Sequence, residues 1–314
     1  MDKKIDVSVI TPFHNVDMKM FEACKESMLS QEIGFENIEW IIVLHNCTSE
    51  YYPCLKEMFK GYDNVILKEL NNDKHTPSSP RNYGVQFATG KYIGFLDGDD
   101  RYTLHCLSEV TRHLDETDAD VACFRREYEL EREDLFALTE TVLWNQLNER
   151  IIVEHGHWDN EVMFNGIFGM ITSKIFRREF LVDKEISFDE EIPYAEDTAY
   201  ITEVLANAKK VCYLPQLIGY HYYINAGSLV QSSAKSGQTL VGYAKGFVKI
   251  FEAFRKYGID SDAVHGLCMQ LAFFILGADP ISAEERIEIR DVLKSYLYDL
   301  KPLTPNKTRD EDTC

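Results

Sequence analysis

Basic residues are scarce in this sequence relative to acidic ones, and the shortage limits which partners the chain can have. The 314 residues include 33 Lys and Arg against 52 Asp and Glu, a formal net charge of −19 at pH 7. Nucleic acids and anionic membrane surfaces are both bound through clustered Lys and Arg. We therefore expect no nucleic acid and no membrane surface as a partner, and we expect an anionic substrate to need a metal ion as intermediary.

Paired cysteines and long apolar runs are also absent. The eight cysteines are scattered without a CxxC pair, which favours reduced thiols in a cytoplasmic protein over a disulfide framework or a zinc site. No run approaches the roughly 20 apolar residues of a membrane-spanning helix, and the apolar stretch near the N-terminus is too short for a signal peptide. We expect a soluble, cytoplasmic protein with no transmembrane segment.

The N-terminal part of the sequence alternates between strand and helix patterns. Near-continuous apolar runs typical of buried strands lie at 7–13, 38–46, 64–70 and 91–100, and helical patterns lie between them at 18–31, 50–62 and 79–90. This alternation predicts an α/β fold, with a mostly parallel sheet flanked by helices on both faces. In such sheets, ligands bind beyond the carboxyl ends of the strands.

The character of the sequence changes near residue 230, where amphipathic and apolar helical segments begin. We predict a boundary there, with residues 1–230 forming the α/β domain and residues 231–314 forming a helical C-terminal region. Three roles for these helices stay open: packing on the first domain, forming a homodimer, or docking a partner.

Three carboxylates, Asp97, Asp99 and Asp100, follow the fourth predicted strand directly. Burying acids there costs free energy unless a cation lies among them. One interpretation is a simple turn in which Asp100 caps the following helix. The other is a site for Mn²⁺ or Mg²⁺, because these ions combine one or two carboxylates with substrate phosphates. In a chain this acidic, a metal bridge to a diphosphate explains the cluster better.

Four stretches, in chain order, resemble family 2 glycosyltransferases of the GT-A fold over about residues 5–230: VSVITPFHN, IEWIIV, SPRNYGVQFATGKYIGFLDGDD and YAEDTAYITEVL. The third is the most specific, because it combines Arg-Asn, Ala-Thr-Gly and the DxD acids at fixed spacing. The resemblance implies a metal-dependent, inverting transfer of sugar from a nucleotide-sugar to a hydroxyl of a glycan, glycolipid or other cell-surface acceptor. The QxxRW signature of processive members is absent, which favours transfer of a single sugar.

The resemblance also assigns roles to residues around the DxD motif. Asp97 contacts ribose or sugar and reaches the metal through water, whereas Asp99 ligates the Mn²⁺ or Mg²⁺ that bridges the diphosphate. Some GT-A enzymes add a histidine from the C-terminal region, which makes His221 a further candidate ligand. The remaining donor contacts lie at the first two strand ends, the third helix and the DxD turn: Thr11, Pro12, His14, Asn15, Asn46, Arg81, Asn82 and Gly98.

Glu196 and Asp197 form a second acidic site, at the start of a predicted helix. Acids in a first helical turn complement the helix dipole, so a purely structural role is one interpretation. The stretch resembles the family's ED motif, which supplies the general base that deprotonates the acceptor hydroxyl. We predict Asp197 as this base and Glu196 as its helper. Trp158 precedes the pair and is either a sugar-stacking acceptor residue or a core or lid residue.

Departures from the family pattern leave the donor base open. The second strand usually ends in an acid-rich stretch whose aspartate recognises uracil, but Leu44–Ser49 contains no acid. Asn46 still offers a carbonyl, so a UDP-sugar remains the expected donor. Tyr223 stands where an arginine is usual. A catalytically silent relative that binds nucleotide or glycan as a scaffold is the alternative, and a nucleotidyltransferase ranks last because no Gly-rich basic loop follows the first strand.

Overall fold

The computed structural model describes residues 5–131, 149–155, 170–224, 237–259 and 282–297. The strands are β1 (Val7–Phe13), β2 (Ile38–His45), β3 (Val65–Leu70), β4 (Tyr92–Phe95), β5 (Arg101–Tyr102), β6 (Val121–Leu130), β7 (Ile151–Glu154), β8 (Lys174–Arg177) and β9 (Lys210–Ile224). The helices are α1 (Met18–Leu29), α2 (Tyr51–Met58), α3 (Ser78–Val85), α4 (Cys106–Thr117), α5 (Arg178–Asp183), α6 (Glu196–Asn207), α7 (Gly237–Lys256) and α8 (Ala283–Leu297). The predicted N-terminal alternation of strand and helix is confirmed.

The strands form one sheet in the order β3-β2-β1-β4-β8-β6-β9-β5, with β7 paired to β9. Within the group β1 to β4, neighbouring strands run parallel to each other. Strand β8 lies between β4 and β6 and runs antiparallel to both. The chain leaves β1 towards β2 and β3, then returns to place β4 on the other side of β1. This reversal of direction is a topological switch point, and the crevice beyond the carboxyl ends of β1 and β4 is where such sheets bind ligands.

Two apolar cores, one on each face of the sheet, explain why the early strands are continuously apolar. In β1, Val9 packs into one core and Ile10 into the other, because successive side chains of a strand point to opposite faces. All residues of β2 are buried. Helices α1, α2 and α4 contribute to the core that contains Val9, and α3, α6 and α7 contribute to the core that contains Ile10. Coverage of both faces is therefore as predicted.

The C-terminal helices share the core of the α/β domain. Helix α7 buries Phe247 and Phe254, and α8 buries Leu293, in the same cluster as Ile201 and Leu205 of α6. Of the three roles left open by the sequence, packing on the first domain is the one that the structure contains. The homodimer, the partner surface and the boundary near residue 230 stay predictions. Among the described helices, none has both the length and the apolar character needed to cross a membrane.

Candidate active site

One buried arginine connects the two acidic motifs. Arg81, on α3, is only 4% exposed. Its Nη2 donates to Asp97 Oδ1 at 3.1 Å, and its Nη1 donates to Glu196 Oε1 at 3.2 Å. Helix α3, the end of β4 and the start of α6 therefore meet at a single guanidinium. Arg81 supplies positive charge among the strand-end acids, as the cost of burying them requires.

Glu196 has a perturbed acidity that follows from its position. Its side chain is 13% exposed. Burial, reinforced by the charge of Asp197 and opposed by Arg81, raises the pKa of Glu196 to about 7. A carboxyl group that titrates near neutral pH beside a charge partner is typical of functional sites.

Asp197 lies in the first turn of α6, where the chain turns sharply into the helix. Ala195 precedes the helix with a left-handed backbone (φ 60°, ψ 24°), which costs a non-glycine residue about 1–2 kcal/mol. Asp197 Oδ1 accepts a hydrogen bond from the backbone N–H of Thr198 at 2.7 Å. Asp197 is partly exposed, so its carboxylate remains accessible to a substrate. The structure thus brings both predicted ED acids into the same crevice as Asp97.

Asp100 is a structural member of the DxD turn. It is 1% exposed and accepts hydrogen bonds from the Tyr220 hydroxyl and the Tyr223 backbone N–H, both at 2.7 Å. Burial, together with the charges of Asp99 and Asp97, raises the pKa of Asp100 well above its ordinary value. The interpretation that Asp100 caps the next helix is wrong, because His105 occupies the N-cap of α4. Asp100 instead ties the turn to β9.

Asp97 and Asp99 are suited to a divalent ion that takes some of its ligands from the protein and the others from a bound substrate. Both residues are partly exposed. Across the described ranges, no three His, Cys, Asp or Glu side chains are grouped so as to hold a metal by themselves. An Mn²⁺ or Mg²⁺ ion here would take its other oxygen ligands from a diphosphate and water, which is the usual arrangement for Mg²⁺. The assignment of this pair as metal ligands stays a prediction.

The ends of β1 and β2 lie at the same edge of the sheet as the DxD turn, as predicted. His14 Nδ1 lies 2.7 Å from the carbonyl oxygen of His45, and Asn15 Oδ1 accepts from the backbone N–H of Thr48 at 3.0 Å. Pro12 and Asn15 are both at least partly exposed there.

Asn46 and Asn82 are occupied by contacts within the chain. Asn46 accepts from the Asn72 backbone N–H and donates to the Lys74 carbonyl, both at 3.0 Å. Asn82 accepts from the Phe188 backbone N–H and donates to the Phe188 carbonyl, both at 2.9 Å. The structure therefore gives Asn46 a role in holding the 72–74 loop and Asn82 a role in holding the segment before α6. Their donor contacts remain predictions.

Gly98 lies between the DxD acids and is buried. A Cβ at this position would approach Val16 Cγ2 to 3.1 Å, which is closer than most packed side chains tolerate. Close packing against the chain after β1 therefore accounts for the glycine.

Two predicted site residues, Thr11 and His221, contact other side chains of the protein. Thr11 is fully buried and its Oγ1 accepts from Trp40 Nε1 at 2.9 Å, and its assignment as a donor-binding residue stays a prediction. His221 Nδ1 lies 2.6 Å from Glu127 Oε1. Strand alternation places His221 on the opposite face of β9 from Tyr220, which contacts the DxD turn, and its assignment as a metal ligand stays a prediction. Trp158 lies outside the described residues.

The Ala-Thr-Gly part of the long motif has a structural explanation that sequence reasoning missed. Glu39, buried in β2, accepts from Thr89 N–H and Thr89 Oγ1 at 2.8 Å each and from Ser8 Oγ at 2.6 Å. A Cβ on Gly90 would lie 2.5 Å from the Ser8 backbone nitrogen. The signal was present in the sequence as a lone acid within the apolar run IEWIIV.

With this geometry established, comparison with known proteins identifies the family. The family model for Glycosyl transferase family 2 matches residues 8–181. The chain belongs to glycosyltransferase family 2. It is 28% identical over 311 residues to the minor teichoic acid biosynthesis protein GgaB of Bacillus subtilis (strain 168), a match that covers 94% of this chain and 33% of GgaB.

A second relative is the poly(ribitol-phosphate) beta-N-acetylglucosaminyltransferase TarS of Staphylococcus aureus (strain Mu50 / ATCC 700699). It is 24% identical over 229 residues, covering 72% of this chain and 37% of TarS. The chain thus spans about a third of the length of these curated relatives.

Two solved structures show the fold. S. aureus TarS 1-349 in complex with UDP-GlcNAc superposes with a TM-score of 0.72 at 20% identity, over 93% of this chain and 81% of that chain. Mannosyltransferase PcManGT from Pyrobaculum calidifontis, in complex with GDP-Man and Mn²⁺, gives a TM-score of 0.58 at 12% identity, over 96% and 77% respectively. At these identities the likeness concerns the fold alone, and the GT-A fold implied by the sequence motifs is confirmed.

Proposed function

We propose that this family 2 chain transfers a single sugar, with inversion, from a nucleotide-sugar to a hydroxyl of a glycan, glycolipid or other cell-surface acceptor. The observation that carries the proposal is the pair of hydrogen bonds from Arg81 to Asp97 and Glu196. These bonds hold the predicted donor motif and the predicted base motif on opposite sides of one guanidinium. An enzyme that joins two substrates needs its donor and acceptor groups adjacent in this way.

The donor side consists of the DxD turn and the adjoining strand ends. Asp99, with Asp97 through water, would hold Mn²⁺ or Mg²⁺. Such an ion, when bound, stabilises the negative charge of a departing diphosphate. The structural neighbours named above were solved with UDP-GlcNAc or with GDP-Man and Mn²⁺, which supports a nucleoside diphosphate sugar. We propose a UDP-sugar as the donor.

The acceptor side consists of the ED motif. The acceptor oxygen forms a bond to the anomeric carbon as the bond from that carbon to the diphosphate breaks, and the hydroxyl proton passes to Asp197. Glu196 remains bonded to Arg81 and keeps a second carboxyl group beside the base. One displacement of this kind inverts the anomeric configuration. The names of the relatives, which concern teichoic acid and poly(ribitol-phosphate), support a polyol-phosphate polymer as a first acceptor to test.

The test is a panel of UDP-, GDP-, CDP- and ADP-sugars, incubated with poly(ribitol-phosphate) or simple glycan acceptors in Mn²⁺, in Mg²⁺ and in EDTA. We expect one nucleotide class to support transfer or slow hydrolysis, and EDTA to abolish it. Diphosphate binding without any turnover of any donor would favour the silent scaffold instead. Turnover that is equal in EDTA would contradict the metal dependence.

A further inference from the structure

Two glycines of α7 lie against the backbone that leads into the ED motif. A Cβ at Gly246 would lie 2.5 Å from the Tyr194 carbonyl oxygen and 3.1 Å from Ala195 Cβ. A Cβ at Gly242 would lie 2.3 Å from Tyr194 Cδ2. Glycine weakens a helix interior, so its presence at both contact points, one helical turn apart, requires a reason. Close approach of α7 to this segment is that reason.

The segment in contact with α7 determines where α6 begins. Ala195 has a left-handed backbone and its carbonyl accepts the hydrogen bond from Ala199 N–H, at 3.0 Å, in the first turn of α6. Glu196 and Asp197 follow directly. A shift of Tyr194 or Ala195 would therefore move both acidic side chains.

An aromatic contact adds to the glycine contacts. The rings of Tyr194 and Tyr243 are stacked, with centroids 5.4 Å apart and an interplanar angle of 29°. Burial, and then the charges of Asp197 and Glu196, raise the pKa of Tyr243 to about 12. The stack joins α7 to Tyr194, the residue directly before Ala195.

The other end of the same segment is held from α3 and from α7. Ser79 Oγ donates to Glu190 Oε2 and Asn82 Nδ2 donates to Glu190 Oε1, both at 2.9 Å. From α7, Lys249 Nζ lies 3.5 Å from Asp189 Oδ2. Since α3 also carries the arginine that binds Glu196, the chain from residue 188 to residue 197 is fixed between these two helices.

We propose that α7 is a positioning element of the active site, in which Gly242, Gly246 and Tyr243 set the Tyr194–Ala195 backbone so that the ED acids face the donor. This inference rests on the proposed function for its catalytic consequence. It gives the C-terminal helical region an indirect part in catalysis. The helix acts through the base and does not itself touch the reacting atoms.

The test compares Gly246→Ala with Ile250→Ala, a buried residue one turn further along α7. For Gly246→Ala we expect kcat to fall at least tenfold while the Kd for the nucleoside diphosphate with Mn²⁺ stays within twofold. Hydrogen exchange of the 192–200 amides should also become faster. For Ile250→Ala we expect a lower Tm, with kcat and the exchange of these amides close to wild type. Tyr243→Leu, which keeps an apolar side chain but loses the stack, should show the Gly246→Ala pattern more weakly.

The outcomes separate the two proposals. If Gly246→Ala and Tyr243→Leu leave both kcat and the 192–200 exchange unchanged, the positioning role is wrong. It is also wrong if Ile250→Ala lowers kcat and speeds this exchange as much as Gly246→Ala at an equal loss of Tm. If the wild-type protein transfers no sugar from any donor, the proposed function fails, and the exchange experiment alone decides whether α7 fixes the ED segment.

Discussion

At the scale of single residues, the site depends on Arg81 making two different bonds at once. A guanidinium offers several N–H donors in a fixed plane, whereas a lysine ammonium is a compact point charge. Only the former can bond Asp97 and Glu196 from separate nitrogens while it remains buried. This requirement explains why an arginine, and not simply a cation, occupies position 81.

The first prediction concerns this arginine. Arg81→Ala should lower the free energy of unfolding by roughly 3–5 kcal/mol, because it removes a buried charge from two ion pairs and leaves the largely buried Glu196 and the partly exposed Asp97 without their partner. Arg81→Lys keeps the charge but loses one bond, so the loss should be smaller, roughly 1–3 kcal/mol. Urea unfolding of both variants measures this. An Arg81→Ala protein within about 1 kcal/mol of wild type would show that the guanidinium has no such role.

The second prediction follows from the pKa of Glu196, which burial raises to about 7 from an ordinary value of 4.5. The folded state therefore holds this proton more tightly than the unfolded state, so ionisation of Glu196 lowers stability as the pH rises from 4.5 to about 7. Glu196→Gln is neutral throughout. We expect the Tm of Glu196→Gln relative to wild type to increase between pH 5 and pH 8.

The control for that measurement is Glu57→Gln, whose side chain is 75% exposed on α2. Its Tm difference from wild type should stay flat over the same pH range. A Glu196→Gln difference that is also flat, or that falls with pH, would contradict the raised pKa.

The direction in which a strand side chain points could not be predicted from the sequence motifs. Thr11 and His221 lie in strands where donor and metal contacts are predicted, and the structure shows their side chains in contact with Trp40 and Glu127. Successive side chains alternate between faces, so an assignment along a strand depends on register to a single residue. A sequence motif shows where a strand ends, but the pairing of the strands determines which face of the sheet each side chain lies on. Asp97 and Glu196 were predictable because both occur where a strand ends or a helix starts.

At the scale of elements, the early strands were predictable because burial on both faces makes them continuously apolar. Strand β8, Lys174–Arg177, was not, because it continues directly into α5 (Arg178–Asp183) with no glycine or proline to mark its end. Its antiparallel position between β4 and β6 depends on pairing partners far away in the sequence. The contact between α7 and the ED segment likewise depends on tertiary packing that helical periodicity does not encode.

The third prediction tests the α3–β4 connection, where Glu39 accepts from Ser8 and from Thr89. In Glu39→Gln, the side-chain NH₂ replaces an oxygen that accepts from Ser8 or Thr89, so at least one hydrogen bond is lost. The free energy of unfolding should therefore fall by roughly 1–3 kcal/mol. The Kd for the nucleoside diphosphate should stay within twofold, because this part of the motif is structural. A tenfold weaker Kd in the folded variant would mean that the Ala-Thr-Gly stretch contacts the donor.

At the scale of the whole molecule, the net charge of −19 disfavours any anionic substrate. In the crevice at the switch point, one buried arginine and a divalent ion held by two acids would offset this unfavourable charge. The C-terminal helices are packed together with the rest of the site: α7 and α8 share a core with α6, which carries the ED motif. Through Arg81, the ED motif is bonded to the DxD motif. Single substitutions on the two sides of Arg81 should therefore separate donor binding from sugar transfer.

The most direct test of this claim titrates the nucleoside diphosphate chosen by the donor panel, with Mn²⁺, into Asp99→Ala and Asp197→Asn, and measures transfer by both. We expect Asp99→Ala to lose metal-dependent binding. We expect Asp197→Asn to bind within twofold of wild type but to transfer roughly 10²–10⁴-fold more slowly, the usual contribution of a general base. Near-normal transfer by Asp197→Asn, or unchanged metal-dependent binding by Asp99→Ala, would contradict this claim.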